Sequence, residues 1–159
     1  MRSMRAAAAL LAIAFAIPAV SAAQQVPNLS GTWVLQADKS DFGMMPSPQS
    51  RTDVIEHQEP KLTIKRTVLT TAAGESILNL VYAVDGKPHK NMAGPSELTS
   101  LLSWEGRTLV TVSTLETGQG QATITDRLTL SEDGKTLTQQ RTLSMQGQEA
   151  KQTMVMVKQ

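Results

Sequence analysis

Along most of the chain, apolar residues alternate with Thr, Ser, Gln and Lys over short runs, and glycine-bearing turns interrupt these runs at short intervals. Successive side chains of a strand point to opposite faces, so a period of two predicts half-buried strands rather than helices. Strands are predicted near 30–36, 52–58, 61–70, 75–84, 87–92, 98–104, 107–115, 122–130, 135–144 and 149–157, the spacing of an antiparallel meander. The one long irregular piece is "ADKSDFGMMPSPQS", residues 37–50. Pro46 and Pro48 oppose both helix and central strand there. A crossing loop or lid is expected, with a short helical turn at "KSDF".

The turns assign register, and register assigns faces. Asp133-Gly134 suits a tight hairpin because both residues tolerate positive φ. A two- or four-residue loop there sets Leu130 against Leu137, Leu128 against Gln139, Asp126 against Arg141 and Ile124 against Leu143. Gln146-Gly147 sets Leu143 against Ala150, Arg141 against Gln152, Gln139 against Met154 and Leu137 against Met156. Two independent turns therefore agree on one largely apolar face, while the opposite face is rich in Thr, as solvated strands are. Glu105-Gly106 is expected to pair Leu102 with Leu109 and to put Trp104 inside. Asp85-Gly86 is expected to pair Tyr82 with His89. Ala73-Gly74 gives mixed faces, which predicts a bulge or a longer loop.

An open ten-stranded meander would expose two long edges to other chains, and closing the sheet removes them. The expected fold is all-β, a single antiparallel up-and-down barrel of 8–10 strands, and a monomer.

Composition adds an address. Arg2 and Arg5 precede an uncharged apolar run from Ala6 to Val20, followed by small residues that offer cleavage after Ala22 or Ala23. This is the layout of a secretory signal peptide, too short for a membrane span. Residues 1–23 are thus expected to be removed, leaving 24–159 as one exported domain, periplasmic or extracellular and not membrane-spanning. Two of the 15 basic residues and none of the 14 acidic ones lie in the leader, which leaves 13 against 14 and a net charge of −1. No basic stripe remains to argue for nucleic acid. With no cysteine in the chain, disulfides, thiol catalysis, Cys-based zinc sites and a lipidated leader cysteine are excluded.

Gly31-Thr32-Trp33, on the first strand of such a chain, resembles the Gly-x-Trp signature of the lipocalins and their calycin relatives. The resemblance implies that Gly31 and Trp33 plug one end of the barrel, with the Trp often beneath an Arg from a late strand; Arg141 and Arg127 are the candidates. The wider text, "SGTW…KSDFG…IEH…PKLTI…LSEDGKTLT", also looks like small exported bacterial lipocalin-like proteins to which no activity is assigned. Ten strands in this length resemble the fatty-acid-binding proteins, although the helix pair that those carry between the first two strands is not evident.

Among residues able to carry chemistry, Asp126 and Arg141 stand out as an inward cross-strand pair with Gln139 and Gln152 beside them. Buried charges need partners, so a brace in the wall is one reading. A polar hook is the other, Arg offering a planar fork to a ligand carboxylate. Met154, Trp104, Tyr82 and His89 complete the candidate ligand-binding set, since pockets are mostly apolar with a few placed polar groups. His57 and His89, without His-x-His or His-Glu-x-x-His spacing, support no metal site, and no cofactor is indicated. Ser96 and Ser100 lack a nucleophile-elbow setting, and no carboxylate pair is placed for acid–base work, so an enzyme is not expected.

The leading expectation is a barrel that binds an apolar or amphipathic, lipid-like small molecule in its lumen. The alternative is a solid-core structural or interaction barrel, and a barrel enzyme or haem protein comes third. A contiguous cavity of a few hundred Å³ would favour the first and a filled interior the second.

Overall fold

The computed structural model describes residues 26–159, so the expected signal peptide lies outside the described residues. Ten strands follow one another: β1 (Gly31–Leu35), β2 (Ser50–Gln58), β3 (Lys61–Thr70), β4 (Gly74–Ala83), β5 (His89–Ala93), β6 (Ser96–Glu105), β7 (Thr108–Thr117), β8 (Gly120–Leu130), β9 (Thr136–Met145) and β10 (Gln148–Lys158). All ten predicted strands are present, their ends shifted by no more than two residues. They form one antiparallel sheet in the order β4-β3-β2-β1-β10-β9-β8-β7-β6-β5. Pairing of the first strand with the last curls the meander into an almost closed barrel.

The hairpins show why the alternation yields these ladders. Gln146 and Gly147 both have positive φ (52° and 78°), the conformation of a two-residue turn that matches strand twist, and Met145 pairs with Gln148. The predicted β9–β10 and β8–β9 registers hold throughout, with Asp126 opposite Arg141 and Arg141 opposite Gln152. At Asp133-Gly134 the four-residue loop is the one formed, because Ser131 donates its backbone N–H to the Thr136 carbonyl (2.9 Å). The turn at Ala73-Gly74 is the longer kind expected. Thr70 pairs with Gly74 across a three-residue loop, and Gly74 takes φ +69°.

Two registers differ from expectation. Glu105 pairs with Thr108, which makes Gly106-Arg107 the turn and slides the ladder by two residues. Leu102 therefore meets Thr111, and Leu109 meets Trp104; a slip of two preserves the faces, so the inward assignment survives. Tyr82 and His89 do not pair at all, because β4 and β5 are the two ends of the sheet order and share no ladder. His89 pairs with Ser100 of β6 instead. The side-chain amide of Asn91 spans the gap, accepting from the Val81 N–H (2.7 Å) and donating to the Val81 carbonyl (3.1 Å).

A 3₁₀ turn, Ala37–Lys39, lies a little ahead of the helical turn expected at "KSDF". The β1–β2 loop then runs beside β10, where Asp41 and Thr153 exchange backbone hydrogen bonds (both 2.7 Å). Its tip, Met44, is exposed and lies beside Leu143, Met145 and Ala150.

One end of the barrel is packed solid. Leu29, Trp33, Ile55, Leu62, Leu102, Leu109, Leu137 and Met156 are fully buried there. Trp33 lies inside the plug and donates its indole N–H to the Leu29 carbonyl (2.9 Å). Neither Arg141 nor Arg127 covers it. Arg141 is bound to Asp126, and Arg127 pairs with Glu105. The covering cation is Lys158 of β10, whose Nζ stands 5.4 Å from the ring centroid. This accounts for the glycine two residues before the tryptophan. Gly31 has φ +145°, a backbone conformation that residues with a Cβ rarely adopt, and a Cβ there would also push aside the flexible end of the Lys158 side chain.

Candidate functional site

The inward faces of β2 and β3 carry charges that no turn in the sequence places. Arg51 and Asp53 share a face with Ile55 and His57, and Arg66 shares one with Leu62 and Ile64, so period-two burial draws all three inside. Asp53 is fully buried and gripped twice. Arg51 donates from Nε (3.0 Å) and Nη2 (2.6 Å), and Arg66 donates from Nε (3.0 Å) and Nη2 (2.9 Å). Arg51 also reaches across the interior to Gln139 Oε1 of β9 (2.7 Å) and the Met154 sulfur of β10 (3.2 Å). Gln139 passes the contact on, donating from Nε2 to Asp126 Oδ1 (2.7 Å). Asp126 in turn receives Nε and Nη2 of Arg141, each at 2.8 Å. One network thus joins two acid–base groups through an amide, between strands that are not neighbours in the sheet.

Electrostatics follow from this arrangement. Burial alone would raise the Asp53 carboxyl, but Arg66 and Arg51 hold it far below the usual carboxylate range. Asp126 behaves likewise: burial opposes ionisation, and Arg141 with Gln139 more than offsets it. Burial and the neighbouring Arg66 guanidinium pull Arg51 down to about 10, so it remains charged at neutral pH. Asp53 and Asp126 keep Arg66 firmly protonated against its burial. Three guanidinium groups therefore face two carboxylates, and the network carries one positive charge in excess.

Against this network lies a cavity of about 140 Å³, lined by Arg66, Asp126, Gln139 and Arg141 and by Ile64, Leu78, Leu80, Leu98, Leu115, Ile124 and Leu128, with Tyr82, Ala93, Thr111 and Ser113. The cavity is smaller than the few hundred Å³ typical of drug-sized sites, because the network and the plug occupy much of the lumen. The Nε and Nη2 atoms of Arg66 and Arg141 are engaged. Among the described residues the Nη1 atoms of both have no protein partner. Burial pushes the Tyr82 hydroxyl up, so it stays a neutral donor in the wall. Ser113, also in the lining, hydrogen-bonds Ser100 at 2.7 Å.

Four of the expected binding residues, Arg141, Asp126, Gln139 and Tyr82, come together on this cavity. Met154 is buried beneath them as an acceptor for Arg51. Gln152 sits opposite Arg141 in the ladder but does not line the cavity. His89 lies outside it, paired with Asp85 (2.9 Å) on the surface. Trp104 closes the plugged end, donating to Glu59 (2.8 Å) beside His57. There His57 Nδ1 accepts from the Leu29 N–H (3.2 Å), so Nε2 carries the proton and donates to Glu59 (2.8 Å).

An almost closed ten-stranded antiparallel up-and-down barrel is the fold shared by the lipocalins and the fatty-acid-binding proteins, and this chain adopts it. No protein-family model matches the chain, and no curated protein matches it in sequence. Among solved structures it is similar to zebrafish ileal bile acid-binding protein in complex with cholic acid, with a TM-score of 0.58 at 14% identity over 82% of this chain and 98% of that one. The similarity lies in the fold. No helix among the described residues is long and apolar enough to cross a membrane.

Proposed function

We propose that the protein binds an apolar or amphipathic small molecule in its lumen, with any anionic group directed at Arg66 and Arg141. The observation that carries this is the cup itself: leucine and isoleucine walls end on a network with one unbalanced positive charge. Buried charge in excess is costly, and an anionic head group entering the cup would neutralise it. The neighbour that binds a bile acid lends support from the fold. The sequence supports export as the setting, with a mature chain beginning at Ala23 or Gln24.

Native mass spectrometry of the protein purified from its producing cells tests the reading. A discrete adduct that is lost on unfolding is expected. Bare chain alone, together with no binding of any apolar acid offered in titration, overturns it. N-terminal sequencing of the exported fraction checks the address, and retention of Met1 in that fraction would refute it. The solid-core alternative draws on the filled end and on the apolar residues exposed on the outer face, among them Ile77 and Val81. It predicts that no probe binds.

A further inference from the structure

We propose that the occupant of the cup is a compact carboxylic acid, of about the size of benzoate or hexanoate, and not a long-chain lipid or a sterol acid. This rests on the lumen-binding reading above and adds size and charge to it.

Size follows from what fills the barrel. The Arg51–Gln139 contact crosses the interior from β2 to β9, and Gln139 passes it along the wall to Asp126 of the neighbouring strand β8, so between β2 and β9 the network is a partition rather than a lining. Asp53 within it is fully buried and Arg51 nearly so. On one side of the partition the plug is closed by Trp33 and the leucines around it. On the other, about 140 Å³ remains. A cavity of about 150 Å³ is known to take a benzene ring, whereas pockets for drug-sized ligands start at roughly twice that volume. A long acyl chain would have to break the Arg51–Gln139 bridge to go deeper. That would strand a buried guanidinium, which the binding of more methylenes does not readily offset.

Charge follows from the count of ionised groups. Arg51 spends its nitrogens on Asp53, Gln139 and Met154. Arg66 and Arg141 each hold an aspartate with two nitrogens, and among the described residues the third of each has no partner on the cavity wall. A single carboxylate placed between them balances the network with one charge, which a neutral ligand cannot do. Tyr82 and Ser113 add hydroxyls to the same wall, so a hydroxyl or keto group on the ligand finds partners.

The test varies the ligand rather than the arginines, since removing either arginine also strands an aspartate. Isothermal titration of the protein with benzoate, hexanoate, benzyl alcohol, palmitate and cholate is the experiment. Benzoate and hexanoate are expected to bind, with benzyl alcohol at least tenfold weaker and palmitate and cholate weaker still. Leu80→Phe, which fills the cavity, is expected to abolish benzoate binding while the unfolding temperature stays near that of the parent. Tighter binding of palmitate or cholate than of benzoate overturns the size inference and leaves lumen binding standing. Equal affinity for benzyl alcohol and benzoate overturns the charge inference. Unchanged benzoate affinity in a folded Leu80→Phe protein puts the site elsewhere and overturns the proposal. Failure of all five probes overturns this proposal, and the lumen-binding reading beneath it falls as well only when native mass spectrometry also shows bare chain.

Discussion

Asp53 accepts from two arginines while fully excluded from water, so its ionisation is tied to folding. Its carboxyl, like that of Asp126, titrates lower in the folded chain than in the unfolded one. A depressed folded pKa contributes stability in full above the unfolded value, near 3.9, and loses it as pH falls through the folded value. Denaturant midpoints should therefore hold steady at neutral pH and decline below about pH 5, where the unfolded carboxylates begin to take up protons. Asp53→Asn should flatten that acid limb and, by leaving Arg51 and Arg66 facing each other, cost about 3–5 kcal/mol at pH 7. An unaltered midpoint for this variant would contradict the buried pairing. Trp33 tests the plug. Trp33→Ala removes a wholly buried ring and its anchor on Leu29, so a loss of about 3–5 kcal/mol is expected in urea titrations, against near-neutral effects of exposed substitutions.

The hairpin of β8 and β9 shows where local sequence suffices. Its turn and that of β9–β10 name their own geometry, and alternation carries the register outward, so Asp126, Arg141 and Gln139 were legible as neighbours without any tertiary knowledge. Arg51, Asp53 and Arg66 were not. The β1–β2 connection is a long loop that fixes no register, and the partners of Arg51 on β9 and β10 are remote in sequence. The available signal was parity, since Arg51 and Asp53 lie an even number of residues from Ile55 and His57. Lys158 over Trp33 was equally hidden, because only the meeting of first and last strands brings it there. The network also alters what the β8–β9 pair should do under mutation. Arg141→Met strands Asp126, and the double change Asp126→Leu with Arg141→Met should recover only part of the loss, because Gln139 Nε2 then loses its acceptor. A residual cost of about 1–3 kcal/mol is expected from a double-mutant cycle. Complete recovery would mean that Gln139 is not coupled to the pair.

The barrel as a whole is a sheet whose two outer strands meet without pairing, β4 on one side and β5 on the other. Mechanically it is a split ring held by a clasp, the Asn91 amide engaging both polar groups of the Val81 backbone. A split ring yields first at its slit, and here the strands flanking the slit supply Leu78, Leu80, Tyr82 and Ala93 to the cavity wall. The softest motion of the molecule should thus widen the cavity directly, with the plug and the β8–β9–β10 ladders left at rest. Hydrogen exchange reads this: Asn91→Ala should speed exchange at the Val81 amide by at least tenfold and leave the Val155 and Leu128 amides unchanged. Uniform acceleration across all three would show that the ring opens only by unfolding, and that the clasp holds the fold rather than the gap.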